Sequence, residues 1–251
     1  MLARSALLCL SLMLAAALPA GAAVIGEAST AKNDVTAQLE EMLRNLRAGD
    51  AVSADEHVKT GSNSATVLRF LDGSELKVGA SSNVTLDKFI FNPDKSAKNV
   101  VINLTRGAMR FATGNSDPHN FTLRTPVATL GIRGTVLALI CDGTGKCGAL
   151  LEQHGASVCP HPLPTAQEPC PDAVDLDEDK NFVLIGPGGI ITGPIHVSAA
   201  VIDAVNKAIN DGNPLNLADL GVGAAGTVIP FLVVPITTFF ILNGSSGPGS
   251  E

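Results

Sequence analysis

The sequence predicts an all-β fold, and three observations carry that prediction. Apolar and polar residues alternate with period two through the middle of the chain; Gly, Asn, Asp and Pro recur between the alternating runs; no amphipathic helical stretch separates one run from the next. This pattern disfavours βαβ units and a parallel open sheet. It fits a β-sandwich or roll, or a short solenoid, of many short strands, with a small helical segment and a glycine-rich apolar tail at the C-terminal end. The chain of 251 residues divides, on this reading, into a cleavable signal peptide over 1–22, an all-β domain over 23–190, and the helical and apolar tail over 191–251.

The N-terminal segment reads as an export signal. Arg4 supplies a minimal positive region, Ala6 to Leu18 an apolar one, and Ala20-Gly21-Ala22 the small residues of a cleavage site. Next, Thr36 to Leu46 is expected to form one or two helical turns, stopped by Gly49-Asp50. Strands follow. Ala65 to Leu71 and Ser74 to Val78 flank Asp72-Gly73, a hairpin turn signal. Val84, Leu86, Lys88 and Ile90 share one face of the next strand. Val100, Ile102 and Leu104 share a face of another, and Met109 with Phe111 continue beyond Gly107.

Thr125-Pro126-Val127-Ala128-Thr129-Leu130-Gly131-Ile132-Arg133-Gly134-Thr135 sits between two apolar runs. Gly131 and Gly134 are expected to set a sharp corner there, with Arg133 tying it down through its guanidinium fork. Val136 to Ile140, Ala149 to Gln153, Ala156 to Cys159 and Asn181 to Ile185 are the remaining strands, and Gly186-Pro187-Gly188-Gly189 is a turn. Val197 to Ala208 reads as a helix closed by Asp211-Gly212-Asn213-Pro214. Beyond it, the segment 221–242 has the length of a membrane span but holds Pro230 and Pro235 and is rich in β-branched residues and Phe. Membrane association through this segment, packing on the body, and self-association are the three readings of it.

Without the signal the chain keeps Cys141, Cys147, Cys159 and Cys170, an even number that reads as two disulfides in an exported protein. The favoured pairing is Cys141–Cys147, across the turn-rich Asp142-Gly143-Thr144-Gly145-Lys146, and Cys159–Cys170, around a proline-rich loop. A mixed metal site of His154, Cys159, His161 and Cys170 is the rival reading, disfavoured because paired cysteines are not ligands; no C-x-x-C spacing supports a zinc site, so no metal and no cofactor is expected. Net charge is −7 with no Lys/Arg cluster, so nucleic acid is not an expected partner. Gly221 to Gly226 spells G-x-G-x-x-G without the strand or acidic partner of a dinucleotide site, and Asp175 to Asp179 opens like a calcium loop but lacks its glycine and closing glutamate. No nucleophile elbow or H-E-x-x-H is present, so no enzymatic activity and no catalytic residue is expected.

Five stretches in order resemble the FecR-type domain of bacterial envelope proteins. They are Leu46 to Val52, Val58 to Ala65, Leu68 to Ser74, Gly107 to Gly114, and Thr125 to Thr135. The resemblance implies an extracytoplasmic all-β module without enzymatic activity. On the reading of the residues themselves, Gly73, Gly107, Gly131 and Gly134 are expected to be structural and to set corners, with Arg133 tying one down. In iron-uptake regulators similar to it, the domain relays transport status to a sigma factor. This chain is expected to begin with a cleavable signal in place of a cytoplasmic helical segment. The expectation is therefore a periplasmic, cell-envelope or extracellular interaction platform for an envelope protein or polymer. The alternatives are a membrane-anchored accessory of a sigma-factor and iron-transport system, and a module that binds envelope polysaccharide or peptidoglycan.

Overall fold

A computed structural model describes residues 23–134, 136–163, 166 and 168–220. The expected signal peptide and the apolar 221–242 segment, with its glycine motif, lie outside the described residues. Within them the chain is built from strands, numbered here in chain order, and one α-helix, α1 (Ala199–Asp211). Two sheets share one strand. Sheet A runs β4 (Ala51–Ser53), β1 (Val24–Lys32), β6 (Ala65–Phe70), β7 (Glu75–Val78), β9 (Ala97–Ala112), β12 (Val136–Cys141), β13 (Cys147–Gln153), β16 (Phe182–Ile185), β17 (Ile191–Ile195). Sheet B runs β3 (Met42–Asn45), β2 (Val35–Leu39), β5 (His57–Thr60), β8 (Asn83–Phe91), β9, β10 (Phe121–Arg124), β11 (Thr129–Ile132), β14 (Ala156–Cys159), β15 (Val174–Leu176). All pairings are antiparallel except β9 with β10.

Strand β9 makes this architecture. Its first part pairs with β8 and β10 in sheet B, and its last part pairs with β7 and β12 in sheet A. The alternation changes phase on the way: Val100, Ile102 and Leu104 point into the core, and then Met109 and Phe111 do. Gly107 lies at that change with φ of 89°, a left-handed conformation that a side chain disfavours. A Cβ there would lie 2.4 Å from the Cα of Ser82. Ser82 fills the gap with hydrogen bonds. Its Oγ shares its one proton between the carbonyls of Ala80 and Ala108 and accepts from the amide of Ala108, while its own amide donates to Thr60 Oγ1. Bent backbone groups that the ladder cannot serve are thereby satisfied inside the core.

The main core draws on both sheets, including Leu68, Leu76, Phe111 and Leu137 from A and Leu86, Ile102, Phe121 and Leu130 from B. A second apolar cluster lies on the other side of sheet A. There Val205 and Ile209 of α1 cover Ala108, Ala138, Ile140, Leu150 and Phe182. The helix ends at Gly212, in left-handed conformation, whose amide reaches the carbonyls of Ala208 and Ile209. Beneath α1, Arg110 grips Glu152 at 3.0 Å, and Asn206 donates to the same carboxylate.

Two sequence expectations are corrected. Thr36 to Leu46 is a hairpin, β2 and β3, and not a helix. Met42 and Leu43 are exposed, whereas Val35 and Ala37 reach the core by pairing with β5 and Leu46 is buried beside them in the same cluster. Tertiary pairing overrides local propensity there. In β8, a register shift between Thr85 and Lys88 moves the buried set from Val84 and Leu86 to Phe89, leaving Ile90 42% exposed. A bulge adds one residue and turns the following side chains over.

Gly107 and Gly49 have the same φ, 89°, but nothing lies within 4 Å of a Cβ on Gly49. Gly49→Ala is therefore expected to cost about 1–2 kcal/mol for the left-handed backbone alone. Gly107→Ala adds overpacking against Ser82, for a total of about 2–5 kcal/mol. Urea denaturation of both variants checks the difference; equal losses would refute the pivot.

Candidate functional site

The motif residues meet one another inside the fold. Asp72-Gly73-Ser74 closes the β6–β7 turn, with Gly73 at φ of 83°. Asp72 accepts from the Ser74 amide and hydroxyl, Ser74 Oγ accepts from the Gly114 amide, and the Asp72 carbonyl accepts from the Asn115 amide. The end of the Gly107–Gly114 motif is thus clasped by the earlier Asp-Gly-Ser motif. In the Thr125–Arg133 stretch, Thr125 Oγ1 accepts from the amides of Val127 and Ala128 and holds the β10–β11 turn.

Gly131 lies within β11 and not at the corner; a Cβ on it would come within 3.1 Å of Ala166 Cβ. The left-handed residue of the corner is Gly134, with φ of 77°. Arg133 uses its fork for Asp175 Oδ1 of β15 at 2.9 Å, both side chains more than half exposed, and its amide for the carbonyl of Gly155.

Cys141 and Cys147 are bridged directly across the β12–β13 hairpin, and Cys159 and Cys170 are bridged around the proline-rich loop. The second bridge adjoins a cavity of about 340 Å³ whose lining includes Pro126, Val127, His161, Asp172 and Gly189. Loops of both sheets form its walls. Gly189 is required there, since a Cβ would sit 2.3 Å from the carbonyl oxygen of Pro160. His161 Nε2 lies 3.2 Å from Cys159 Sγ and 3.9 Å from Cys170 Sγ, and Asp172 Oδ1 lies 3.2 Å from Cys170 Sγ. These four donors fall within 4.8 Å of one another. His154, in the β13–β14 turn, does not join them; Asp172 does, and the sequence reading passed over it. The signal was there in two matched tripeptides, Cys159-Pro160-His161 and Cys170-Pro171-Asp172. Asp177 is occupied locally, accepting from the amides of Asp179 and Lys180.

In the turn under the first bridge, burial works to raise the Asp142 pKa, but hydrogen bonds from the Thr144 hydroxyl and amide and the Lys146 amide outweigh it. The carboxyl titrates below its ordinary 3.8. A depressed folded pKa stabilises the protein above the unfolded value, and that contribution disappears as pH falls through the folded one. Asp142→Asn is expected to lower the urea midpoint at neutral pH, with the deficit shrinking below about pH 3.8; a deficit independent of pH would contradict this. At the corner, Arg133→Ala is expected to cost less than about 1 kcal/mol, as for exposed ion pairs. Thr125→Val, which leaves buried amides unpaired, is expected to cost about 1–3 kcal/mol in the same measurement.

Residues 56–151 match the family described as FecR protein. No curated protein matches the chain. Two crystal structures of a "putative anti-sigma factor" from Parabacteroides distasonis align with TM-score 0.38 and 10% identity, over 54% of this chain. The alignment spans 57% of the length of those solved chains. The matched segment runs from the residue before β5 through β9 to the middle of β13, and so takes in the pivot and four of the five motif stretches in full. What the comparison shows is thus a FecR match confined to residues 56–151 of this chain.

Proposed function

We propose that this protein is a non-enzymatic, exported FecR-domain protein that acts as an interaction and signalling platform in the bacterial periplasm or cell envelope. The observation that carries the reading is the way the motif residues are spent. Asp72 and Ser74 clasp Gly114 across strands, Gly107 makes room for Ser82, and Thr125 holds its own turn. The module therefore contributes a shape held by its own motifs, on which a partner protein or polymer would dock. Two cysteine pairs support an oxidising compartment, where such bridges persist. The N-terminal sequence supports export. Among the described residues no helix is long and apolar enough to cross a membrane.

Osmotic shock of cells making the full chain is the test. It is expected to release a species that lacks residues 1–22 and whose four thiols resist alkylation until reduced. Recovery of the full-length chain in the cytosol with reactive thiols would overturn the proposal.

A further inference from the structure

We propose that the Cys159–Cys170 pair doubles as a redox-gated zinc site, formed when the bridge is reduced, with Cys159 Sγ, Cys170 Sγ, His161 Nε2 and Asp172 Oδ1 as ligands. Two sulfurs, one imidazole nitrogen and one carboxylate oxygen lie within 4.8 Å of one another, and they form the only such group of donors among the described residues. The set matches the ligand types and number of a tetrahedral zinc site. With bonds of about 2.0–2.3 Å to zinc, tetrahedral ligands stand about 3.3–3.8 Å apart. The present separations of 3.2 Å, 3.9 Å and 3.2 Å already approach that. Only the sulfurs have to part, and their Cα atoms, 6.0 Å apart, allow it by side-chain rotation.

The local sequence prepares this arrangement. Cys159 ends β14 and is followed by a bend at Pro160-His161, and Cys170-Pro171-Asp172-Ala173 is a turn closed by the Ala173 amide on the Cys170 carbonyl. The bend and the turn bring each second donor beside its cysteine, His161 Nε2 at 3.2 Å from Cys159 Sγ and Asp172 Oδ1 at 3.2 Å from Cys170 Sγ. The cavity gives an ion a route in, with Asp172 exposed and His161 half-buried at its wall. The second carboxylate oxygen of Asp172 faces His161 Nδ1 at 3.7 Å, placed to orient the ring. The other bridge offers a contrast: near Cys141–Cys147 the carboxylate of Asp142 is taken up by Thr144 and Lys146.

The chemistry balances with a dithiol as reductant. Its two thiols become a disulfide, the Cys159–Cys170 bond takes up two electrons and two protons, and two thiols result. Zinc binding then expels both protons as the thiolates coordinate.

The test uses the chain without residues 1–22, reduced with a dithiol, desalted without oxygen and equilibrated with zinc. One zinc per reduced chain is expected, and less than a tenth of that in the oxidised chain. The C141S/C147S variant should retain the zinc after reduction and C159S/C170S should lose it. H161A and D172N should each weaken binding at least tenfold. Zinc should also raise the thermal midpoint of reduced C141S/C147S and leave that of C159S/C170S unmoved. Equal uptake by the oxidised chain, affinity indifferent to His161 and Asp172, or no rise in the midpoint would each overturn the proposal. The assay is independent of cellular compartment, so it can fail while the export reading holds.

Discussion

At Gly107 the backbone of β9 leaves one sheet and enters the other without ending the strand. The two layers are therefore joined covalently at their centre, and the phase of the hydrophobic pattern is set on both sides of the join. Ile102 and Leu104 before it and Met109 and Phe111 after it are fully buried, each contributing about 1.5–3 kcal/mol by burial. A conventional loop would have supplied free backbone groups to solvent at this point. Here they lie in the core, so Ser82 and Thr60 must supply the missing partners. The glycine and the hydroxyls belong to one device: the first creates room, and the second fill it.

Charge is handled in the same local way. Glu56, 2% exposed, accepts two bonds from Arg44 and one from the Ser53 amide. Glu152 is held by Arg110 and Asn206 under α1, and Arg124 reaches both Asp87 and Asn103 across sheet B. Such pairs add modest energy because desolvation offsets attraction, but removing one partner leaves the other stranded. Their effect is to fix which residues face each other across β8, β9 and β10, and where α1 sits on sheet A.

Period-two alternation made the strand content readable, and turn residues placed the β6–β7 hairpin and the end of α1. Cysteine pairing followed from a turn and a loop of suitable length. What escaped were features decided at a distance. The Thr36–Leu46 stretch has helical spacing, and nothing local reveals that β5 offers Val35 and Ala37 a better partner. Residues 97–112 look like two strands around a glycine; that they form one depends on Ser82, remote in sequence. The role of Arg133 was also misplaced, since its partner Asp175 belongs to a strand that pairs with β14 rather than to the corner. Asp172 was hidden differently: its neighbours in space are visible in sequence once the two Cys-Pro tripeptides are compared.

The shared strand also bears on the order in which a growing chain can mature. Strands β1 to β8 precede β9 and, in both layers, stack outward from one of its flanks; β10 to β17 follow and build on the opposite flank. The earlier eight therefore lack a finished inner border until residues 97–112 emerge, and the later eight start their pairing from a border already in place. Synthesis from N- to C-terminus would thus deliver a template midway, so that the second half condenses on a surface the first half has ordered.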